Sequence, residues 1–406
     1  MRAFSLNLWG VPNAPDRLKR VRDAADILEA NENGYDVVCL QECYVAADVR
    51  RLIAAARLGK LVHCHVFRNG AGCWGSNSPG MVVLSRFPIV QARLCRFACS
   101  GKVHKLWQMD GIHHKAIGLV ALNGGSLGLL CVYVTHFVAV YGPGDEYYKH
   151  RLLQAREAAR FIDDTSRDAS LVVMCGDLNA EPSHAVYKHL VAAAGLRDTV
   201  TPCDTTLATY ARPGNPYVTG PGCDKPARLD YVLWRSSHAV GTWSVTDSGI
   251  DDATDQRGVS DHAGVFAEFS LNPGAGADDP ARSPNPRRPP HTTLRRHNLH
   301  LMSALKSAIA QCKAATHKHK MCAIWALVFA ACIYAYAPWL TPLAVALAVV
   351  HFVIYGVGCG EEMSSLVQAH NEVAIQLGCK HPDAQVMADD MGDAFEYACV
   401  MLAMGG

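Results

Sequence analysis

Apolar runs of strand length recur through the first 271 residues, separated by amphipathic helical stretches and by polar loops. Phe4–Trp9, Asp36–Leu40, Gly80–Leu84, Leu127–Thr135, Leu171–Cys175, Leu229–Trp234 and Val265–Phe269 predict strands. Asp16–Ala30 and Tyr147–Thr165 predict helices. The second places Leu152, Ala155, Ala159 and Ile162 on one face at three- and four-residue spacing. Arg68–Pro79 and Thr209–Pro226 are rich in Gly, Pro and Asn and read as loops. The pattern is that of a single α/β unit without internal repeats.

The pattern changes at Asn272. Residues 272–299 are crowded with Pro, Gly, Asp and Arg and read as a linker. Residues 300–320 predict a basic helix, and from Ala281 to Lys320 there are nine Lys/Arg and no acidic residue. Charge then disappears: Met321–Ala337 and Leu343–Gly360 are uncharged runs around the turn Pro338–Pro342. Residues 321–360 are therefore expected to form a transmembrane helical hairpin, although the first run would be only about 26 Å long. The positive-inside rule puts the basic flank in the cytosol, and two crossings put residues 1–271 and the acidic, partly helical tail 361–406 there too. The basic stretch is expected to attract anionic phospholipids, and the helices beside the hairpin offer a homodimer contact.

Charge narrows the functional classes. With 38 Lys+Arg against 37 Asp+Glu, the chain lacks the basic excess of a dedicated nucleic-acid binder. The 16 cysteines are scattered, with no CxxC pair and no zinc spacing, and read as buried reduced thiols. The first residues do not form a secretory signal, and no Asn-x-Ser/Thr acceptor occurs.

Candidate chemistry sits at the ends of the predicted strands. Asn7 lies on the strand face opposite Phe4, Leu6 and Leu8; Glu42 follows Asp36–Gln41; His136 follows Leu129–Thr135. Asp177 and Asn179 close Leu171–Gly176, Asp230 lies in Arg228–Leu233, and Asp261 and His262 precede the last strand. Singly, each is an ordinary turn or cap residue. Converging on one cleft, they supply what phosphoester hydrolysis needs. Glu42 and Asn7 offer oxygens to a hard cation such as Mg²⁺, and two histidines beside carboxylates offer acid and base.

Gln41-Glu42, Tyr133–His136, Gly176–Asn179, Arg228–Tyr231 and Ser260–His262, in this order, resemble the endonuclease/exonuclease/phosphatase superfamily. Within it the chain is most similar to the Mg²⁺-dependent neutral sphingomyelinases with a C-terminal membrane hairpin. That similarity rests on Asn7–Gly10, Lys115–Gly118, His150-Arg151 with Gln154-Ala155, and Arg257-Gly258. The resemblance implies a DNase I-like four-layer sandwich, two mixed β-sheets flanked by helices. It also implies Mg²⁺, with Mn²⁺ as a substitute, held by Glu42 with Asn7.

His262, oriented by Asp230, resembles the family's general base. Asp177 and Asn179 look like the groups that position the nucleophile, and His136 like the one that steadies the phosphoryl oxygens or leaving alkoxide. Asp261 belongs to the metal or base shell. Asp110 and Lys115 have the spacing of the family's Asp–Lys switch, with Lys115 also a phosphate contact. Trp74, in the loop Gly70–Gly80, is either an aromatic tip that dips into the bilayer or an ordinary packed side chain.

The implied activity is phospholipase C-type cleavage of a membrane sphingolipid. Sphingomyelin is the first substrate and inositol phosphoceramide the second. A nuclease is disfavoured by the charge balance. A phosphoinositide 5-phosphatase is disfavoured because Pro226–Asp230 lacks the signature's Trp-Cys and is followed by Tyr231 where an Arg is expected. A non-enzymatic scaffold is disfavoured by the intact site set.

Overall fold

The computed structural model describes residues 1–68, 78–102, 105, 108, 110, 114–141, 144–200, 207–218, 225–236, 240–273, 291–334, 341–351 and 358–376. Trp74, Trp107, His113, the turn at Pro338 and the tail beyond Gln376 lie outside the described residues. The chain divides into two compact units, Met1–Ser100 with His113–Leu294, and Gly101–Ile112 with Arg295–Gly406.

In the first unit the apolar runs pair into two six-stranded sheets. One contains β1 (Arg2–Asn7), β2 (Val37–Gln41), β3 (His63–Val66), β4 (Val82–Ser85), β11 (Thr242–Ile250) and β12 (Val265–Asn272), in the order β11-β12-β1-β2-β4-β3. The other contains β5 (Ile89–Arg96), β6 (Ala116–Asn123), β7 (Leu129–His136), β8 (Leu171–Asp177), β9 (Arg197–Asp198) and β10 (Asp230–Ser236), in the order β5-β6-β7-β8-β10-β9. Each sheet is mixed. β1 runs parallel to β2 and β7 parallel to β8, while the other pairings are antiparallel.

The central strands read as continuous apolar runs because both of their faces are buried. Val37, Cys39 and Val83 meet Val132, Val134, Val173 and Cys175 in the core between the sheets. Phe4, Leu6, Val38 and Leu40 point the other way, against helices α1 (Arg17–Ala30) and α2 (Ala46–Leu58). On the outer face of the second sheet, helix α3 (Tyr148–Thr165) shares a hydrogen bond between Thr165 and the Tyr133 hydroxyl and adjoins helix α4 (Ala185–Ala194). Two mixed sheets with flanking helices are the DNase I-like arrangement that the resemblance implies. Nine of the described cysteines are free thiols, most of them buried.

One register detail fixes where the chemistry falls. Gly176 has φ +152°, and a Cβ there would lie 2.0 Å from the Thr135 carbonyl oxygen of the neighbouring strand. A side chain would push β8 from β7 where His136 and Asp177 pair. Gly176→Ala is expected to cost about 3 kcal/mol, measured by chemical denaturation, and to lower activity with it.

In the second unit, helix α6 (His291–Tyr334) begins within the expected linker and runs on as one 44-residue element, α5 being the short helix Asp252–Arg257 of the first unit. It is followed by α7 (Thr341–His351) and α8 (Gly358–Gln376). Helix α6 buries Leu301, Leu305, Ala308 and Ile309 and exposes Ile324, Trp325 and Phe329.

The expectation of a two-span membrane hairpin is corrected here. Among the described residues, no helix is long and apolar enough to cross a membrane. The first uncharged run is the end of a basic helix rather than a helix of its own, and its part from Met321 to Tyr334 covers about 21 Å. Helix α7 is described over 11 residues, about 16 Å against a hydrocarbon core of roughly 30 Å. The sidedness inferred from two crossings goes with the spans.

Candidate active site

The two parallel strand pairs deliver their C-terminal ends to one place. Asn7 closes β1 opposite Gln41, and Glu42 follows at φ +57°. In the other sheet His136 closes β7 opposite Asp177 at the end of β8, and Asp230 opens antiparallel β10 opposite the same Asp177. The Asn7 amide joins the sheets, donating to Glu42 Oε1 at 2.9 Å and to Asp177 Oδ2 at 3.1 Å.

Asp177 is the hub. Its Oδ1 accepts the Asn179 backbone N–H at 2.8 Å, and its Oδ2 accepts the Asn179 amide at 3.3 Å. Asn179 sits at φ +46°, a left-handed position that Asn tolerates better than most residues. His262 Nδ1 lies 2.7 Å from Asp230 Oδ2, which leaves Nε2 facing the site, 4.0 Å from Asp177 Oδ2. Lys115 Nζ lies 3.0 and 3.1 Å from the two ring nitrogens of His136. His136 Nε2 is in turn 3.5 Å from Asp177 and 3.8 Å from Glu42. Asp261 follows Ser260, whose hydroxyl donates to the Asn7 carbonyl at 2.6 Å and ties the His262 loop to β1.

The expected site residues of the first unit are thus brought together. Asp110 is buried and is grouped with the second unit.

Burial drives the electrostatics. It holds the Glu42 carboxyl above its ordinary range, with Lys115 pulling the other way. Burial, with Asp230 nearby, pushes Asp177 up to about 7. Burial and then Lys115 keep His136 well below its usual value, as a neutral ring. At His262 burial acts downward, but Asp230, Asp261 and Asp177 overcome it and raise the imidazole well above its ordinary value.

In metal-free protein Asp177, Glu42 and His262 therefore hold protons that the unfolded chain releases at lower pH. The stability that Asp177 and Glu42 contribute is lost as pH rises from about 4, for Asp177 through about 7, and that of His262 is lost above about 6.5, where His136 is neutral in both states and does not oppose the trend. In EDTA the melting temperature is expected to fall between about pH 6.5 and 8, and to fall less in Asp177→Asn. Parallel melting curves for the two proteins across that range would contradict the assignment.

The residues fit a hard cation. Glu42 supplies the carboxylate oxygens that such a cation prefers, while the Asn7 amide turns its nitrogen to Glu42 and Asp177 and its Oδ1 to the Trp9 N–H at 3.0 Å, so that it would have to rotate to add an oxygen. Ligand atoms of Asp177, Asp230 and His262 also lie within 4.8 Å of one another, a cluster that could hold a metal. There, however, the Nδ1–Oδ2 hydrogen bond already occupies one atom of each of His262 and Asp230.

Three supporting residues escape a reading of strand ends. Thr209 donates its hydroxyl to Asp230 at 2.6 Å, and the Tyr210 ring packs on His262 with centroids 5.0 Å apart. Both belong to a stretch whose Gly/Pro content marks only a loop. Arg20, wholly buried, donates to the carbonyls of Leu8, Trp9 and Val259 and lies over the Trp9 ring. Its signal was available: Arg20 occupies the apolar face of α1 with Val21, Ala24 and Leu28. Tyr231, the departure from the 5-phosphatase signature, is buried and donates to the carbonyls of Ala180 and Arg228.

The endonuclease/exonuclease/phosphatase family profile matches residues 4–262. The chain belongs to this family. It is 31% identical over 296 residues to sphingomyelin phosphodiesterase 2 of Rattus norvegicus, an alignment covering 69% of this chain and 67% of that protein. Over 280 residues it is 28% identical to inositol phosphosphingolipids phospholipase C of Saccharomyces cerevisiae, covering 57% of this chain and 56% of that one. Sphingomyelinase C from Streptomyces griseocarneus superposes with a TM-score of 0.50 at 24% identity, over 66% of this chain and 98% of that structure, a likeness of fold. The family match ends at His262, so it takes in both sheets' site ends and stops short of α6.

Proposed function

We propose that the chain hydrolyses the phosphodiester of a phosphosphingolipid by a phospholipase C-type reaction, releasing ceramide and a phosphorylated head group. Its relatives are sphingomyelin phosphodiesterases and inositol phosphosphingolipid phospholipases C, and it is a hydrolase of the phosphodiesterase kind. The single observation that carries the reading is the Asp230–His262–Asp177 array at the meeting point of the two sheets, with Glu42, Asn7, His136 and Lys115 around it.

In this reading His262 Nε2 takes a proton from the attacking water while Asp230 fixes the ring through Nδ1. Asp177 and Asn179 hold the water in line with phosphorus. Lys115 carries its positive charge to a phosphoryl oxygen, and neutral His136 bonds the oxygens as charge develops on them. Mg²⁺ at Glu42 and Asn7 would polarise a phosphate oxygen and, by neutralising the carboxylates around it, leave the His262 imidazole neutral. Asp261 lies in the same electrostatic field, raising the Glu42 and His262 values together. Contact of the basic residues 281–320 with anionic phospholipid and a homodimer through α6 extend the proposal.

Mixed micelles of sphingomyelin or of inositol phosphoceramide, each with Mg²⁺ and with EDTA, test the reading. Mg²⁺-dependent ceramide release from either lipid is expected, and the faster one names the head group. Cleavage of neither, with turnover of a 5-phosphorylated inositol lipid or abasic DNA, would overturn it.

A further inference from the structure

Asp230 uses only one of its carboxylate oxygens on the described protein. Oδ2 takes both His262 Nδ1 and the Thr209 hydroxyl, whereas Oδ1, in a fully buried residue, has no hydrogen-bond partner among the described residues. Two residues earlier, Arg228 is 8% exposed. Its Nη2 donates to Asp198 Oδ1 at 2.7 Å, and its Nη1 is likewise buried with no described partner. One is an acceptor and the other a donor. Arg228 and Asp230 both line one small cavity between the sheets, with Thr199, Thr209, Val232 and Val265 among its other lining residues and room for about one water.

A buried carboxylate oxygen and a buried guanidinium N–H without partners are each costly, and in folded proteins such groups are satisfied by ordered water where a polar cavity admits one. We propose that one buried water in this cavity accepts from Arg228 and donates to Asp230, which makes Arg228 a positioning residue for the Asp230–His262 pair. The water fixes the carboxylate plane, so that Oδ2 meets the imidazole at the angle that turns Nε2 into the site. Asp198, which also accepts the Tyr187 hydroxyl at 2.7 Å, anchors the guanidinium from behind. Arg228 touches no reacting atom and acts only through Asp230.

The inference rests on the reading of Asp230 and His262 as orienting acid and base, and the test separates the two. Arg228→Met, Arg228→Lys, Val232→Ile and Asp230→Asn are compared by sphingomyelin turnover in micelles and by the low-field Nδ1–H proton resonance of His262. Val232→Ile leaves Arg228 in place and fills the cavity with one more carbon. Arg228→Met and Val232→Ile are expected to lower kcat about tenfold with KM unchanged, and to shift that resonance. Arg228→Lys recovers part of both. A wild-type kcat and resonance in Arg228→Met, with only the melting temperature lowered, overturns the proposal. So does a wild-type kcat and resonance in Val232→Ile, which decides alone if Arg228→Met does not fold. If Asp230→Asn itself keeps wild-type activity and resonance, the base assignment fails and the proposal with it.

Discussion

His262→Ala is expected to lower kcat for phosphosphingolipid cleavage by about 10³–10⁴-fold, the upper part of what a positioned general base contributes. Among the described residues near the site, none matches it as a base. His136 is kept neutral and low by burial and Lys115, with Lys115 Nζ against both its ring nitrogens, so it is poorly placed to accept a proton. Asp177 is committed to Asn7 and Asn179. Asp230→Asn is expected to lose nearly as much, because the amide removes the negative charge that fixes the ring and stabilises its protonated form. Steady-state kinetics on folded variants, checked by thermal melting, gives the comparison. Activity within tenfold of wild type in His262→Ala would remove this residue from the base role.

Glu42→Gln is expected to have the second-largest effect, lowering activity by at least about 10²-fold and raising the Mg²⁺ concentration for half-activation. The amide keeps the shape and can still pair with Asn7, so the loss reports the missing charge rather than a collapsed loop. Position supports the choice. Glu42 follows β2 directly, its carbonyl accepts the Gly10 N–H at 3.0 Å, and a Cβ on Gly10 would lie 2.4 Å from that carbonyl oxygen. The Asn7–Gly10 turn and Glu42 are therefore built as one piece. Titration of activity against Mg²⁺ for wild type and variant checks this; identical half-activation would place the cation elsewhere.

Most of the site was legible because its residues sit where buried strands end. A polar side chain directly after an apolar run, as at Glu42, His136 and Asp177, is conspicuous, and pairing in two sheets brings those ends together. What the pattern conceals is support from loops and helix faces. Thr209 and Tyr210 reach Asp230 and His262 from an irregular segment, and Arg20 works from a helix whose exposed face carries similar residues.

The fold shows the same division. Strands β1, β2, β4, β7, β8, β10 and β12 follow from their apolar runs, whereas the four edge strands β3, β5, β9 and β11 do not, and neither does the central, buried β6. An edge strand keeps polar residues on the side that meets water, as in the half-exposed Ile89–Arg96, so no apolar run marks it. The membrane hairpin failed on length rather than on polarity: the run is apolar, but among the described residues no helix is long and apolar enough to cross a membrane.

The central claim, attack of water on the phosphorus of a phosphosphingolipid, is tested most directly by cleaving sphingomyelin in ¹⁸O-labelled water with Mg²⁺ present. The account predicts one labelled oxygen in phosphocholine and none in ceramide, with turnover by His262→Ala lowered at least about 10³-fold. Release of free choline, label in ceramide, or equal turnover by the variant would contradict it.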